Sequence, residues 1–282
     1  MKHLPSTPGI LYVVGTPIGN LEDITLRAIR VLNEAAFIAA EDTRTARKLK
    51  ERFSIATPAI SYYDARERSK SGKIIEKIKA GKTVALISEA GMPGVSDPGY
   101  RLIEQAIKEG ITVTPVPGPS AALTALVVSG LPADRFVFEG FLPSPPTARR
   151  KKLWLLQAEE RTIIFFESPR RLLAALRDIG EIFGPRRVAV ARELTKKFEE
   201  VLRGTPDEVL GILTARGSVK GEIVLLVEGK KGVSPGSSLP VSEQIEQTMA
   251  ELGISRMEAI KLVADRRGVA KSAIYRSYHQ DK

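Results

Sequence analysis

The chain has 282 residues, 43% of them apolar, enough for one large or two ordinary cores, which excludes a globally disordered protein. Its 43 Lys and Arg against 33 Asp and Glu leave a net charge of +10, which favours an anionic partner such as nucleic acid. Cysteine is absent, excluding disulfides, thiolate zinc sites and cysteine nucleophiles, and the two histidines, His3 and His279, lie near the ends, so neither a metal site nor a histidine-based triad is expected.

Met1 to Pro8 is polar and reads as no signal peptide, and no apolar run is long enough to cross a membrane. A soluble cytoplasmic protein is expected. From Ile10 onward short apolar runs (ILYVVG, AAFIAAED, PAISYY, TVALISEAG, TVTPVPG) alternate with amphipathic segments (LRAIRVLNEA, KIIEKIKAG, YRLIEQAIKEG). That alternation predicts an α/β domain with a largely parallel sheet over residues 1–119. From Ser120 the strand-like runs FVFEGFLP, RTIIFFESP, RVAVARELT, FEEVLRG and GEIVLLVEG dominate, with one clear helix, RRLLAALRDIG. They predict a second, mixed-sheet α/β domain over 120–229, and a ligand cleft between the two. Residues 230–240 are rich in Gly, Ser and Pro and read as a linker. Residues 241–282 read as a basic helical region, SEQIEQTMAELG, SRMEAIKLVADRRG and VAKSAIYRSY, with Ser242 and Ser255 as N-caps and Glu258 completing a capping box. The layout fits a helix-turn-helix and equally a helical lid or dimer arm.

Five loops carry the candidate chemistry. VGTPIGNLEDIT (14–25) is a strand, a Gly/Pro turn and a helix start without the GxGxxG of a dinucleotide site, and Pro17 lacks an N–H that a pyrophosphate would need. AEDTRTARK (40–48) offers Glu41, Asp42 and Arg44 for ribose or proton chemistry, or for pairing with one another. LISEAGMPGVSDPGY (86–100) has three glycines, two prolines and two carboxylates but no lysine, so it is not a phosphate cradle. PVPGPSAALTA (115–125) turns on Gly118 and places Ser120 as a helix cap. FFESPRR (165–171) ends a strand in aromatics, either core or a face for an adenine.

Taken in order, GTPIGNLEDIT, AEDTR, SEAGMPGVSDPGY, PGPSA, GFLP, FFESPRR, RELTKKFEE and GEIVLLVEG resemble the ribosomal RNA small subunit methyltransferase I family, across nearly the whole chain. The resemblance implies the tetrapyrrole-methylase (class III methyltransferase) fold: two α/β domains, S-adenosylmethionine in the cleft between them, and a homodimer. It implies 2′-O-methylation of a decoding-centre cytidine of 16S rRNA in the small ribosomal subunit. S-adenosylmethionine carries a sulfonium and no phosphate, which accounts for the missing lysine.

By position in the motifs, the resemblance places the cofactor against Pro17, Ala90, Gly91, Met92, Val95, Ser96, Ser120, Ala121, Phe166, Glu222 and Ile223. The family pattern SDAGTP reads SEAGMP here, so Glu89 extends the carboxylate and Met92 replaces a hydroxyl. Glu41 or Asp42 is the expected acceptor of the 2′-hydroxyl proton, with Arg44 placing a phosphate. Arg149, Arg150, Lys151, Lys152, Arg170, Arg171, Lys196 and Lys197, with the basic C-terminal helices, are the expected RNA track. The competing readings are a methyltransferase for tetrapyrroles or other small molecules on the same fold, and a non-catalytic RNA-binding protein.

Overall fold

The computed structural model describes residues 9–62, 67–230 and 240–280; His3 and most of the expected linker lie outside them. The chain forms two compact units, Met1–Thr124 with Glu193–Glu199, and Ala125–Arg192 with Glu200–Lys282.

Unit 1 is built on strands β1 (Leu11–Val14), β2 (Phe37–Ala40), β3 (Ala59–Ser61), β4 (Val84–Ile87) and β5 (Val113–Val116). All pair in parallel, in the order β3-β2-β4-β1-β5. The apolar runs FIAA and VALI are buried along their whole length, as central parallel strands covered on both faces must be. Pro115 is tolerated because β5 is an edge. Helices α1 (Leu26–Glu34) and α2 (Thr43–Phe53) bury Ala28, Val31, Leu32, Ala46 and Leu49 on one face of the sheet. Helices α3 (Glu67–Lys79) and α4 (Tyr100–Lys108) bury Ile74, Ile75, Ile78, Leu102 and Ala106 on the other. The loops after β1, β2, β4 and β5 therefore gather at the strands' C-terminal ends, where open α/β sheets present ligand sites.

Unit 2 has β6 (Phe136–Phe141), β7 (Thr162–Glu167), β8 (Val188–Arg192), β9 (Glu200–Gly204) and β10 (Ile223–Val227) in the order β6-β7-β10-β8-β9. Only β6 and β7 are parallel, joined through α6 (Pro146–Leu156); the other pairs are antiparallel. Helices α7 (Pro169–Phe183) and α8 (Pro206–Ala215) pack with the inner face of this sheet around Phe165, Leu172, Leu176, Val190, Val209 and Leu225. Two helices, α6 and α8, thus go beyond the one that the sequence made clear.

The expected domain boundary at 119/120 gives way to a division inside α5 (Ala121–Ser129), and residues 193–199 belong with unit 1. The C-terminal helices α9 (Val241–Leu252), α10 (Arg256–Arg267) and α11 (Lys271–Gln280) are part of unit 2 and not a separate body. Trp154 of α6 is buried among Ile245, Ile260, Val263 and Tyr278, which fixes them there. Ser255 caps α10 in a capping box with Glu258, but Ser242 lies inside α9, whose N-cap is Pro240.

Candidate active site

The loops at the C-terminal ends of β1, β4 and β5 are laced together by backbone. Gly15 N–H donates to Val116 O at 3.0 Å. Thr16 and Gly91 exchange two backbone hydrogen bonds, 2.9 and 3.1 Å. Gly15 and Gly118 lie back to back: a Cβ at Gly15 would sit 2.7 Å from Gly118 Cα and 2.7 Å from Met92 Sδ. Met92 is therefore held against the β1 loop, and Pro17 is half-buried beside it in sequence. On either side of Met92 the loop turns through positive φ, at Gly91 (74°) before it and at Gly94 (85°), Ser96 (58°) and Gly99 (124°) after it, a course that presents backbone groups more than side chains. Val95 is half exposed. Ser120 Oγ accepts Leu123 N–H at 3.5 Å, a weak cap for the helix that Ala121 begins. The 193–199 segment closes over the β1 loop: Asn20 N–H donates to Thr195 Oγ1 at 3.1 Å, and the Lys196 stem packs over Gly19.

In unit 2, Phe166 on β7 meets Phe138 and Phe141 edge-on, with centroids 5.0 and 5.6 Å away. Ile223 begins β10 opposite Glu167, with Glu222 exposed just before it.

The carboxylates of unit 1 divide into two kinds. Asp42 caps α2 by accepting Arg44 N–H at 2.7 Å and is gripped by the Arg44 guanidinium at 2.5–2.8 Å, which holds its carboxyl below the usual range. An acid so occupied is a poor proton acceptor. Glu41 Oε2 accepts Glu89 N–H at 3.0 Å, and Glu41 is pushed upward by burial and by the negative charge of Glu89. Asp97 was not singled out by sequence reasoning. Burial, then the charge of Glu41, raises its carboxyl to about 6, with Ser88 beside it offsetting this only in part. A proton held more tightly in the folded state contributes stability at low pH that is lost as pH rises through about 6. We expect Asp97→Asn to raise the melting temperature above pH 6.5 and to flatten its pH dependence between pH 4.5 and 7; an unchanged slope in thermal melts refutes this. Among the described residues no group of His, Cys, Asp and Glu is arranged to hold a metal ion.

The family model for tetrapyrrole (corrin/porphyrin) methylases matches residues 10–210. A ribosomal RNA small subunit methyltransferase I from Halalkalibacterium halodurans is 49% identical over 97% of this chain and 96% of that protein. The chain belongs to the ribosomal RNA small subunit methyltransferase I family. It is a methyltransferase by that membership. The family's member from Thermotoga maritima is 48% identical and is matched over its whole length by 79% of this chain. The uroporphyrin-III C-methyltransferase of Thermus thermophilus, solved with S-adenyl homocysteine, is 20% identical with a TM-score of 0.53, covering 78% of this chain and 97% of that one; this likeness shows the fold.

For this family member most of the expected RNA-binding cations are already committed. Arg149 is buried, its Nε donating to Asp178 Oδ2 at 2.6 Å, so it is a structural residue and leaves the RNA track. Arg150 pairs with Asp178 at 2.9 Å and with Glu181, and Lys152 pairs with Glu139 at 2.5 Å. Arg171 bridges Glu167 (2.7 Å), Leu142 O (3.0 Å) and Ser144 (2.8 Å), pinning the β7–α7 turn to the β6–α6 loop. Lys196 pairs with Glu193 at 2.9 Å. Arg170 and Lys197 are exposed and Lys151 is half-buried, which leaves a thinner track than the sequence implied.

Proposed function

We propose that the chain transfers the methyl group of S-adenosylmethionine to the ribose 2′-hydroxyl of a decoding-centre cytidine of 16S rRNA, acting on the small ribosomal subunit in the cytoplasm as a homodimer. The observation that carries this reading is the near-full-length 49% identity to a protein of that name. The residues fit the cofactor: residues 86–100 hold no lysine, Arg101 being the next cation, while Glu41, Glu89 and Asp97 set a negative field suited to a sulfonium. Pro17, Ala90, Gly91, Met92, Val95, Ser96, Ser120 and Ala121 would hold it, and the family resemblance adds Phe166, Glu222 and Ile223 for the adenine. When bound, S-adenosylmethionine supplies a methyl group already activated for displacement.

The protein's part is alignment and proton acceptance. Glu41 Oε2 is engaged by Glu89 N–H, so Oε1 is the oxygen that takes the 2′-hydroxyl proton. Burial favours the protonated acid that results. The exposed Arg44 guanidinium, tethered by Asp42, positions the adjacent phosphate.

Incubation with labelled S-adenosylmethionine and small subunits should label RNA; label only in a tetrapyrrole precursor selects the small-molecule reading, and none selects a non-catalytic binder. Glu41→Gln should lower kcat by about 10²- to 10⁴-fold with unchanged cofactor affinity. Full turnover in that variant removes Glu41 from the mechanism.

A further inference from the structure

Resting on the rRNA reading above, we propose that the groove between α2 and edge strand β3 is a second RNA subsite, which holds the phosphodiester backbone next to the target nucleotide. The groove measures about 500 Å³; Arg44, Arg47 and Lys50 line it over a floor of Ile55 and Ala59, with Glu51 the one acid. It lies within unit 1 and outside the expected RNA track; the motif AEDTRTARK reaches it only at Thr43, Arg44 and Arg47, and Lys50, Glu51, Ile55 and Ala59 lie beyond that motif.

Helix α2 reads TRTARKLKERF, five cations to one acid. Its core stripe, Ala46 and Leu49, needs none of them. Lys50 and Arg52 in the last turn suit the helix dipole, but Arg44 in the first turn and Arg47 just after it do not, and no acid accompanies them in that turn. Helix stability therefore does not account for a cation at each of 44, 47 and 50. The spacing of three sets them in one row, spanning about 9 Å along the axis.

Nor are these charges fully spent within the protein. Arg47 lies 3.8 Å from Glu51 with both side chains about 70% exposed, a pair that water and salt screen. Lys50 makes no ion pair with any described residue. A cationic rim over an apolar floor takes a phosphate on the rim and a ribose or base edge below. Arg44 at the head of the row is tied to Asp42, next in sequence to Glu41, so a strand lying in the groove leads to the carboxylate that accepts the 2′-hydroxyl proton.

The test uses the full chain carrying Arg47→Glu with Lys50→Glu, with Arg47→Gln and Lys50→Gln as a milder pair and Arg52→Glu as a control whose charge change equals that of the milder pair. Binding of a fluorescent single-stranded rRNA fragment is titrated between 50 and 300 mM KCl. We expect the double reversal to weaken binding at least tenfold at 150 mM and to make the salt slope shallower by about 1.4, two contacts at about 0.7 each. The glutamine pair should show the same change in slope. S-adenosylmethionine affinity should match the wild type, and Arg52→Glu should bind RNA as the wild type does. The glutamine pair should melt close to the wild type, while the double reversal melts somewhat lower because Lys50 and Arg47 are replaced by acids near the C-terminal end of α2 and beside Glu51. Wild-type affinity and slope in both double variants overturn the groove while leaving the rRNA reading intact. Lost capture of a small-subunit protein with unchanged RNA binding also overturns it. Wild-type protein that binds no RNA at 50 mM overturns the groove and the rRNA reading together.

Discussion

Gly15→Ala is expected to destabilise the fold by about 3 kcal/mol and to weaken S-adenosylmethionine binding at least tenfold. The added methyl would sit 2.7 Å from Gly118 Cα, 2.9 Å from Gly118 N and 2.7 Å from Met92 Sδ. A side chain can swing aside; a backbone held by the β1–β5 ladder cannot. Met92→Ala in the same chain should therefore fail to restore either property, because it relieves only the sulfur. Gly118→Ala should reproduce the defect, since its own Cβ would meet Gly15 Cα at 2.8 Å. The two substitutions together should cost less than their sum, as both invade one gap. Urea unfolding and calorimetric titration of S-adenosylmethionine measure these effects, and near-wild-type values for Gly15→Ala would refute the close-approach account.

Asp178→Ala should cost about 3–5 kcal/mol, the penalty for leaving a buried charge without its partner. Asp178 receives Arg149 and Arg150 together and ties α6 to α7, so its loss strands the buried Arg149 guanidinium. Arg149→Met should cost less, because Asp178 keeps Arg150 and the new side chain is apolar and of comparable length. Neither change should alter the salt slope of RNA binding in protein that remains folded. A steep loss of RNA affinity in folded Arg149→Met would return that residue to the RNA track.

The parallel and mixed sheets were legible because apolar runs of four to six residues bounded by Gly and Pro have few other uses. That FIAA and VALI are the central strands, buried along their whole length, is set by the sheet order. Helix α8 carried a readable signal, Thr205 with Glu208 in a capping box, obscured by glycines at 204, 211 and 217. Helix α6 was not singled out because Arg149 to Lys152 read as part of an RNA track, whereas Arg149 meets its partner on a different helix. Asp97 could not be found by motif: its raised affinity for a proton comes from burial and from Glu41, which lies on a different strand end. The groove beside α2 was half visible, since the row of cations is plain in sequence while the edge strand that walls it is set by sheet order.

The assignment of residues 193–199 to unit 1 has a consequence for dissection of the molecule. The polypeptide passes from one unit to the other at 124/125, returns at 192/193 and leaves again at 199/200. A gene fragment ending near 124 would lack the Thr195 hydroxyl that receives Asn20 N–H and the Lys196 stem that covers Gly19. No single cut, by protease or by cloning, yields either half whole. Either unit recovered whole needs two stretches of chain that are separated in sequence.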